Sequence, residues 1–118
     1  MEPKTFRSKR GPEAKIQDAI INMLRMKGWY VMKTHGSMYQ SGFPDLYATN
    51  TKYGARWIEV KNKDHYSFTP AQCDCFPKLS ANGTRIWILV GATESEYNKL
   101  FGPENWFMYM MRMRGYGK

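Results

Sequence analysis

Two β-rich segments on either side of a short turn place the strongest constraint on the fold. Residues 45–49 and 55–62 carry strand-forming side chains, and the residues between them are turn formers. The pattern predicts a β-hairpin. If its turn is centred on Lys52, residues equally distant from Lys52 face one another, so Asp45 lies opposite Glu59.

Alternation along the two strands assigns their side chains to opposite faces of the sheet, because successive residues of a strand point to opposite sides. We expect the main core side to carry the apolar set Leu46, Ala48, Ile58 and Val60. The opposite face then carries Asp45, Tyr47, Trp57, Glu59 and Lys61.

The facing acids create an electrostatic conflict. Opposed positions have β-carbons about 5 Å apart, and two like charges at that range repel by roughly 3 kcal/mol at an effective dielectric constant of about 20. A divalent cation removes the conflict, because Mg²⁺ prefers carboxylate oxygens. Lys61, two residues after Glu59, falls on the same face and is suited to hold a water or to neutralise a developing phosphorane charge.

The hairpin therefore contains the groups needed for metal-assisted phosphodiester hydrolysis: two acids for the metal and one lysine beside them. The alternative is an exposed hairpin face with a Lys–Glu pair. Any charged strand can supply that pattern, so the three residues alone do not decide between the two.

An amphipathic helix and a strand are predicted before the hairpin. Gly11-Pro12-Glu13 is typical of a helix start, and Gly28 is a plausible stop. The apolar stripe between them consists of Ile16, Ala19, Ile20, Met23 and Leu24. Residues 29–34 follow as a short run with strand propensity.

After the hairpin, Thr69-Pro70-Ala71-Gln72 predicts a helix start with Thr69 as the cap, and the helix is expected to end near Asn82-Gly83. Residues 84–90 read as a buried strand, and Thr93 with Glu96 predicts a capping box for a short helix. Residues 106–113 fit either a strand or a helix. The order helix, three strands, helix, strand indicates an α/β fold, αβββαβ, with a central mixed sheet flanked by helices.

The charge balance favours a polyanionic partner. The chain has 18 Lys and Arg against 10 Asp and Glu, a net charge of +8. Nucleic acid is the first partner this suggests and an anionic membrane the second, with a merely solubilising surface charge as the alternative. Cys73 and Cys75 are expected to be reduced thiols, because their spacing suits neither an ordinary disulfide nor a zinc site.

Four sequence elements in order carry a resemblance to a known family. Glu13, Gly42-Phe43-Pro44-Asp45-Leu46, Ile58-Glu59-Val60-Lys61 and Thr69-Pro70-Ala71-Gln72 together resemble the PD-(D/E)XK nuclease superfamily, and within it the VRR-NUC (virus-type replication-repair nuclease) family. The resemblance covers roughly residues 11–91. It implies a restriction-endonuclease-like core and Mg²⁺- or Mn²⁺-dependent cleavage of DNA.

The resemblance also implies roles for individual residues. Lys61 would lie at the attacking water, and Gln72 would approach from the second helix. The implied catalytic set is Asp45, Glu59, Lys61, Glu13 and Gln72. The implied metal ligands are Asp45, Glu59, the backbone carbonyl of Val60 and, through a water, Glu13.

Four basic residues are expected near DNA: Lys33, His35, Lys63 and Arg10. Tyr39, Tyr66 and Phe68 are candidates to stack on bases or, alternatively, to pack on the core. Members of the resembled family that cut four-way junctions as dimers suggest branched DNA as the substrate and a homodimer as the assembly. The alternative is a catalytically inactive nucleic-acid-binding module of the same fold.

Residues 1–10 are expected to form a flexible basic leader, and residues 11–118 a single VRR-NUC-like domain. No signal peptide and no membrane-spanning run are apparent, so no membrane partner is expected. The expected location is the cytoplasm of a bacterium or of a phage-infected host cell.

Overall fold

The predicted hairpin is present, and its turn is centred on Lys52. Strand pairing sets Leu46 against Ile58 and Tyr47 against Trp57, the register expected from the sequence. The computed structural model describes residues 11–34 and 42–113. In these ranges the helices are α1 (Pro12–Met26), α2 (Pro70–Ala81), α3 (Glu94–Asn98) and α4 (Trp106–Met113), with a 3-10 turn at Lys99–Phe101, and the strands are β1 (Tyr30–Lys33), β2 (Leu46–Asn50), β3 (Gly54–Val60) and β4 (Ile86–Leu89).

The four strands form one mixed sheet in the order β1-β2-β3-β4. β1 and β2 are antiparallel, as are β2 and β3, whereas β3 and β4 are parallel and are connected through α2. A parallel neighbour requires such a crossover, because a strand must return to the same end of the sheet. The predicted α/β class, with a mixed sheet flanked by helices, is confirmed.

One face of the sheet packs against α1. Helix α1 supplies Ile20, Ile21 and Leu24, all buried; Ile21 lies outside the predicted stripe, and Ala19, which the stripe included, is exposed. The three buried residues meet the set that the alternation assigned to the main core side: Leu46, Ala48, Ile58 and Val60. The predicted facing of the hairpin is thus confirmed on this side.

The opposite face packs against α2 and α4. Phe76 of α2 and Trp106 of α4 lie edge to face with ring centroids 6.3 Å apart, above Ile86 and Ile88 of β4. Residues 106–113 are therefore a helix, with Trp106 and Met110 one turn apart and both buried. β4 and the second half of β3 are therefore covered on both faces.

The two predicted helix caps differ. At α2 the capping box is complete, because the Thr69 side chain accepts from the amide of Gln72 and the Gln72 side chain accepts from the amide of Thr69. At α3 the predicted box is wrong. Thr93 accepts from the amide of Glu96, but the Glu96 carboxylate accepts instead from the amide of Val90, 2.9 Å away, and ties α3 to the end of β4.

Side chains close the outer edge of β4. The side-chain oxygen of Asn105 accepts from the Ile88 N–H at 2.6 Å, and its side-chain nitrogen donates to the Ile88 carbonyl at 3.2 Å. Glu104 accepts from the amide of Ile86 at 3.0 Å. These groups occupy the positions that another strand would take, which is one way in which proteins protect a sheet edge.

None of the helices in the described residues is long and apolar enough to cross a membrane.

Gly42 and Gly54 provide a matched pair for testing the approach of the segment before β2 to α2. Both have positive φ, 89° and 84°, but a β-carbon at Gly42 would lie 2.6 Å from the Ala71 carbonyl oxygen, while one at Gly54 would meet nothing within 4 Å. We expect Gly54→Ala to cost about 1–2 kcal/mol for the left-handed backbone. Gly42→Ala should cost a further 1–3 kcal/mol, roughly, for the clash.

Urea unfolding of both variants measures the difference. Equal losses of unfolding free energy at the two positions would show that the segment before β2 does not depend on this contact with α2.

Candidate active site

Reciprocal side-chain bonds join the start of β2 to the end of β3. The amide of Asp45 donates to Oε1 of Glu59 at 3.1 Å, and the amide of Val60 donates to Oδ2 of Asp45 at 2.9 Å. Pro44 precedes Asp45 and has no N–H to offer, so regular strand pairing cannot continue past it. The structure therefore brings the two carboxylates together where the hairpin opens.

The end of β1 holds the same segment from the other side. The amide of Thr34 donates to the carbonyl of Asp45 at 2.8 Å, and the Thr34 hydroxyl donates to the carbonyl of Pro44. Asp45 is thus fixed between β1 and β3 by its own backbone. Main-chain hydrogen bonds on both sides therefore determine where the Asp45 carboxylate lies.

Lys61 is buried immediately after β3, at 4% exposure. Its Nζ lies 3.0 Å from Oε2 of Glu59, 2.7 Å from the Ser67 carbonyl and 3.2 Å from Oε1 of Gln72. The three acceptors match the three N–H donors of an ammonium group. The ring of Phe68 lies against the same amine, 4.5 Å from Nζ to the centroid, a favourable cation–π distance.

Gln72 links the helix cap to the ionic groups. Its Nε2 donates to Oε2 of Glu59 at 2.8 Å, while its Oε1 accepts from Lys61 and from the amide of Thr69. The side chain is 8% exposed and its polar atoms are engaged. The residue that completes the capping box of α2 is therefore also a member of the site.

Burial governs the protonation of Glu59. Removal from water, and then the negative charge of Asp45, raise the pKa of Glu59 from its ordinary value of 4.5 to about 8, against the opposing effects of Lys61 and Gln72. Desolvation disfavours the charged form of a carboxyl group, and a nearby like charge adds to that effect. The like-charge conflict expected from the sequence is thus present.

Glu13 reaches the same site from the first turn of α1. Burial raises the pKa of Glu13, the charge of Lys61 lowers it, Asp45 raises it, and a hydrogen bond to the backbone of Asn62 lowers it. The carboxylate thus lies within electrostatic range of both the lysine and the first acid. The structure joins Asp45, Glu59, Lys61 and Gln72 through direct contacts, whereas Glu13 is an exposed side chain at the edge of this group.

The donor set is compatible with a hard divalent cation. Asp45 and Glu59 supply neighbouring carboxylate oxygens, the ligands that Mg²⁺ and Mn²⁺ prefer. No group of three or more His, Cys, Asp or Glu side chains suited to a metal occurs within residues 11–34 and 42–113. A cation here would therefore rest on two protein carboxylates, completed by backbone oxygen and water, as Mg²⁺ sites often are.

The expected DNA-contacting residues have different surroundings. Lys63 is exposed in the loop after β3. Lys33 is half-exposed at the end of β1, where its Nζ lies 3.8 Å from the Asp18 carboxylate. The expected leader lies outside the described residues, as do Arg10, His35 and Tyr39.

Sequence reasoning missed two partners of the lysine. Ser67 contributes its backbone carbonyl, and no side-chain pattern marks such a contact. Phe68, a candidate either to stack on bases or to pack on the core, is 6% exposed and packs beneath Lys61 in the core, so the second alternative holds and only the contact with Lys61 was not predicted. An aromatic residue directly before a helix cap was the available signal for that packing. Cys73 and Cys75 form no disulfide.

Comparison with known proteins gives one structural likeness. No family model matches the sequence, and no curated protein matches it. A solved structure described as a VRR_NUC domain superposes with a TM-score of 0.61 at 20% identity, covering 76% of this chain and 95% of that one. The chain therefore has the fold of a VRR_NUC domain, and the fold implied by the sequence resemblance is confirmed.

The raised pKa of Glu59 predicts how stability depends on pH without metal. Between pH 4.5 and about 8 the folded chain keeps the Glu59 proton that the unfolded chain has released, so the free energy of unfolding falls as pH rises through that window. We expect Glu59→Gln to flatten this dependence, measured by urea unfolding in EDTA at several pH values. Glu94→Gln, at an exposed carboxylate on α3, is the control and should keep the wild-type slope. An unchanged slope in Glu59→Gln would contradict the assignment.

Proposed function

We propose that this chain is a Mg²⁺- or Mn²⁺-dependent endodeoxyribonuclease of the VRR-NUC type, which hydrolyses phosphodiester bonds at the Asp45–Glu59–Lys61 site. The observation that carries the proposal is the buried cluster of Glu59, Lys61 and Gln72 beside Asp45. The nuclease-family fold supports it independently.

Stability alone gives little reason to bury these groups. Taking a carboxylate and an ammonium out of water costs several kcal/mol per ion, about as much as their attraction returns. An apolar pair of similar volume would serve folding as well or better. Strongly perturbed carboxyl groups clustered with a charged partner are instead typical of functional sites.

The proposed roles follow from position. Asp45, Glu59 and the Val60 carbonyl would hold the cation, with Glu13 acting through a water. When bound, such a cation polarises a phosphoryl oxygen and makes water more acidic. To orient the attacking water and stabilise the negative charge that develops on the phosphoryl oxygens, Lys61 exchanges one of its three present acceptors, Glu59, Gln72 or the Ser67 carbonyl, for the substrate. Gln72 is a positioning residue, because it contacts both Glu59 and Lys61.

Hydrolysis at this site forms a bond between the water oxygen and phosphorus and breaks the bond from phosphorus to one bridging oxygen. The released sugar oxygen takes up a proton, and the attacking water loses one. The net charge of +8 favours the approach of a polyanion. We propose branched DNA, four-way junctions included, as the preferred substrate, cut by a homodimer whose two-fold axis relates two active sites.

A catalytically inactive nucleic-acid-binding module is the second candidate. It is favoured by the completeness of the network without metal, since both oxygens of Glu59 already receive N–H donors from Asp45, Lys61 and Gln72. Such a chain would bind DNA through its positive charge and leave the strands intact.

Cleavage assays test the first candidate. With Mn²⁺ or Mg²⁺, wild-type protein should cut DNA, with branched molecules cut faster than linear ones of the same length. Asp45→Asn keeps an acceptor for the Val60 amide but removes a metal-binding charge, and should lower the single-turnover rate about a hundredfold to a thousandfold. Lys61→Met, which preserves the buried stem, should have a similar effect.

Lys52→Ala, at the exposed turn far from the site, is the matched control and should cut at the wild-type rate. Circular dichroism checks that each variant is folded. Cleavage that continues unchanged in EDTA or in Asp45→Asn would exclude the proposed mechanism. Mass measurement in solution tests the dimer.

Titration calorimetry with Mn²⁺ separates the two candidates. We expect the wild-type chain to bind Mn²⁺ and Asp45→Asn to bind it at least tenfold more weakly, because the substitution removes one of two coordinating charges. Equal Mn²⁺ affinity in the two proteins, together with intact DNA binding, would favour the inactive module.

A further inference from the structure

A shallow pocket of about 280 Å³ lies between the β3–α2 loop and the last turn of α4. Its lining is Lys63, Asp64, His65, Tyr66, Arg112 and Met113. The pocket is separate from the carboxylates but shares a loop with the partners of Lys61. No step proposed above uses its basic residues.

A turn at Asn62 fixes the loop side of the pocket. The Asn62 side chain accepts from the amide of Asp64 at 3.1 Å, and its backbone carbonyl accepts from the amide of His65 at 3.0 Å. An Asx turn of this kind sets the local backbone. It presents Lys63 and His65 at the exposed tip of the loop.

Two contacts fix α4 against the same loop. The Tyr66 hydroxyl donates to the Tyr109 carbonyl at 3.0 Å, and the amide of Phe68 donates to the sulfur of Met113 at 3.0 Å. Phe68 also lies under Lys61. Arg112 is thereby held across the pocket from Lys63, by a segment that directly adjoins the catalytic lysine.

The chemistry of the pocket suits a phosphate group. Lys63 and Arg112 are cations opposed by a single carboxylate, Asp64, and in the described part of the chain neither cation forms an ion pair. The guanidinium of Arg112 offers a planar fork that matches two phosphate oxygens, and Lys63 adds a compact positive charge. His65 contributes a ring N–H.

We propose that Lys63, His65 and Arg112 form a subsite for a backbone phosphodiester of the nucleic acid, close to the phosphate that is cleaved. The proposal rests on the proposed function, because it takes DNA as the ligand. It gives α4 a role in positioning the substrate: the helix both supports the loop that holds Lys61 and supplies one of the phosphate-binding cations.

Binding of a fluorescein-labelled duplex oligonucleotide without a 5′-phosphate, measured in EDTA over a range of salt concentrations, tests the subsite. Lys63→Ala and Arg112→Gln should each weaken binding about threefold to tenfold, as exposed charge-assisted contacts do. Since both cations contact one phosphate, the double variant should lower the slope of log Kd against log salt by about 0.9, the value for a single phosphate on duplex DNA. Lys52→Ala is the matched control.

The subsite would be overturned if the pocket variants lost no more affinity than Lys52→Ala. It would also be overturned if the wild-type chain bound no oligonucleotide. Equal displacement by polyglutamate of the same charge would also overturn it, because a carboxylate polymer would then serve as well as phosphate.

Cleavage measured in parallel with Mn²⁺ keeps the two proposals distinguishable. A chain that cuts nothing, yet loses binding in the pocket variants, retains the subsite and refutes the nuclease. A chain that cuts DNA with binding unchanged in those variants refutes the subsite alone.

Discussion

The ion pair between Glu59 and Lys61 organises this end of the molecule, and it depends on the hydrogen-bonding groups around it. Oε2 and Nζ are 3.0 Å apart, and both side chains are almost fully enclosed. Once Glu59 has lost its proton, removing one partner of this pair costs about 3–5 kcal/mol, because the other charge stays buried without compensation. Gln72 and the Ser67 carbonyl share the remaining hydrogen bonds, so β3, the following loop and the start of α2 must assemble together.

Some residues of the site also form hydrogen bonds that the fold requires. Gln72 serves two elements at once: its side-chain oxygen accepts from the Thr69 amide at the start of α2, and its side-chain nitrogen donates to Glu59 of β3. Asp45 likewise replaces a rung of the β-ladder by accepting from Val60. The same atoms form the hydrogen bonds of the fold and the polar groups of the site. These polar groups therefore have little freedom to move. Preorganised donors and acceptors of this kind are what electrostatic catalysis requires.

Local interactions explain what could be predicted from the sequence. The hairpin register follows from turn residues around Lys52 and from alternation, and α2 begins at Thr69 because cap chemistry acts over three residues. The sequence did not decide between a strand and a helix for residues 106–113. The helix is recognised only from tertiary packing, in which Trp106 and Met110 lie on one face against β4. Glu96 fits a capping box locally, but tertiary structure redirects its carboxylate to Val90.

The site divides in the same way. Alternation placed Asp45, Glu59 and Lys61 on one face, whereas Glu13 and Gln72 entered only through the family resemblance, because their approach depends on how two helices pack. A backbone acceptor such as Ser67 carries no side-chain signature at all.

The side-chain closure of β4 has a wider consequence. Because Asn105 occupies the hydrogen-bonding groups of Ile88 that a neighbouring strand would use, the sheet is protected against extension by another strand at that edge.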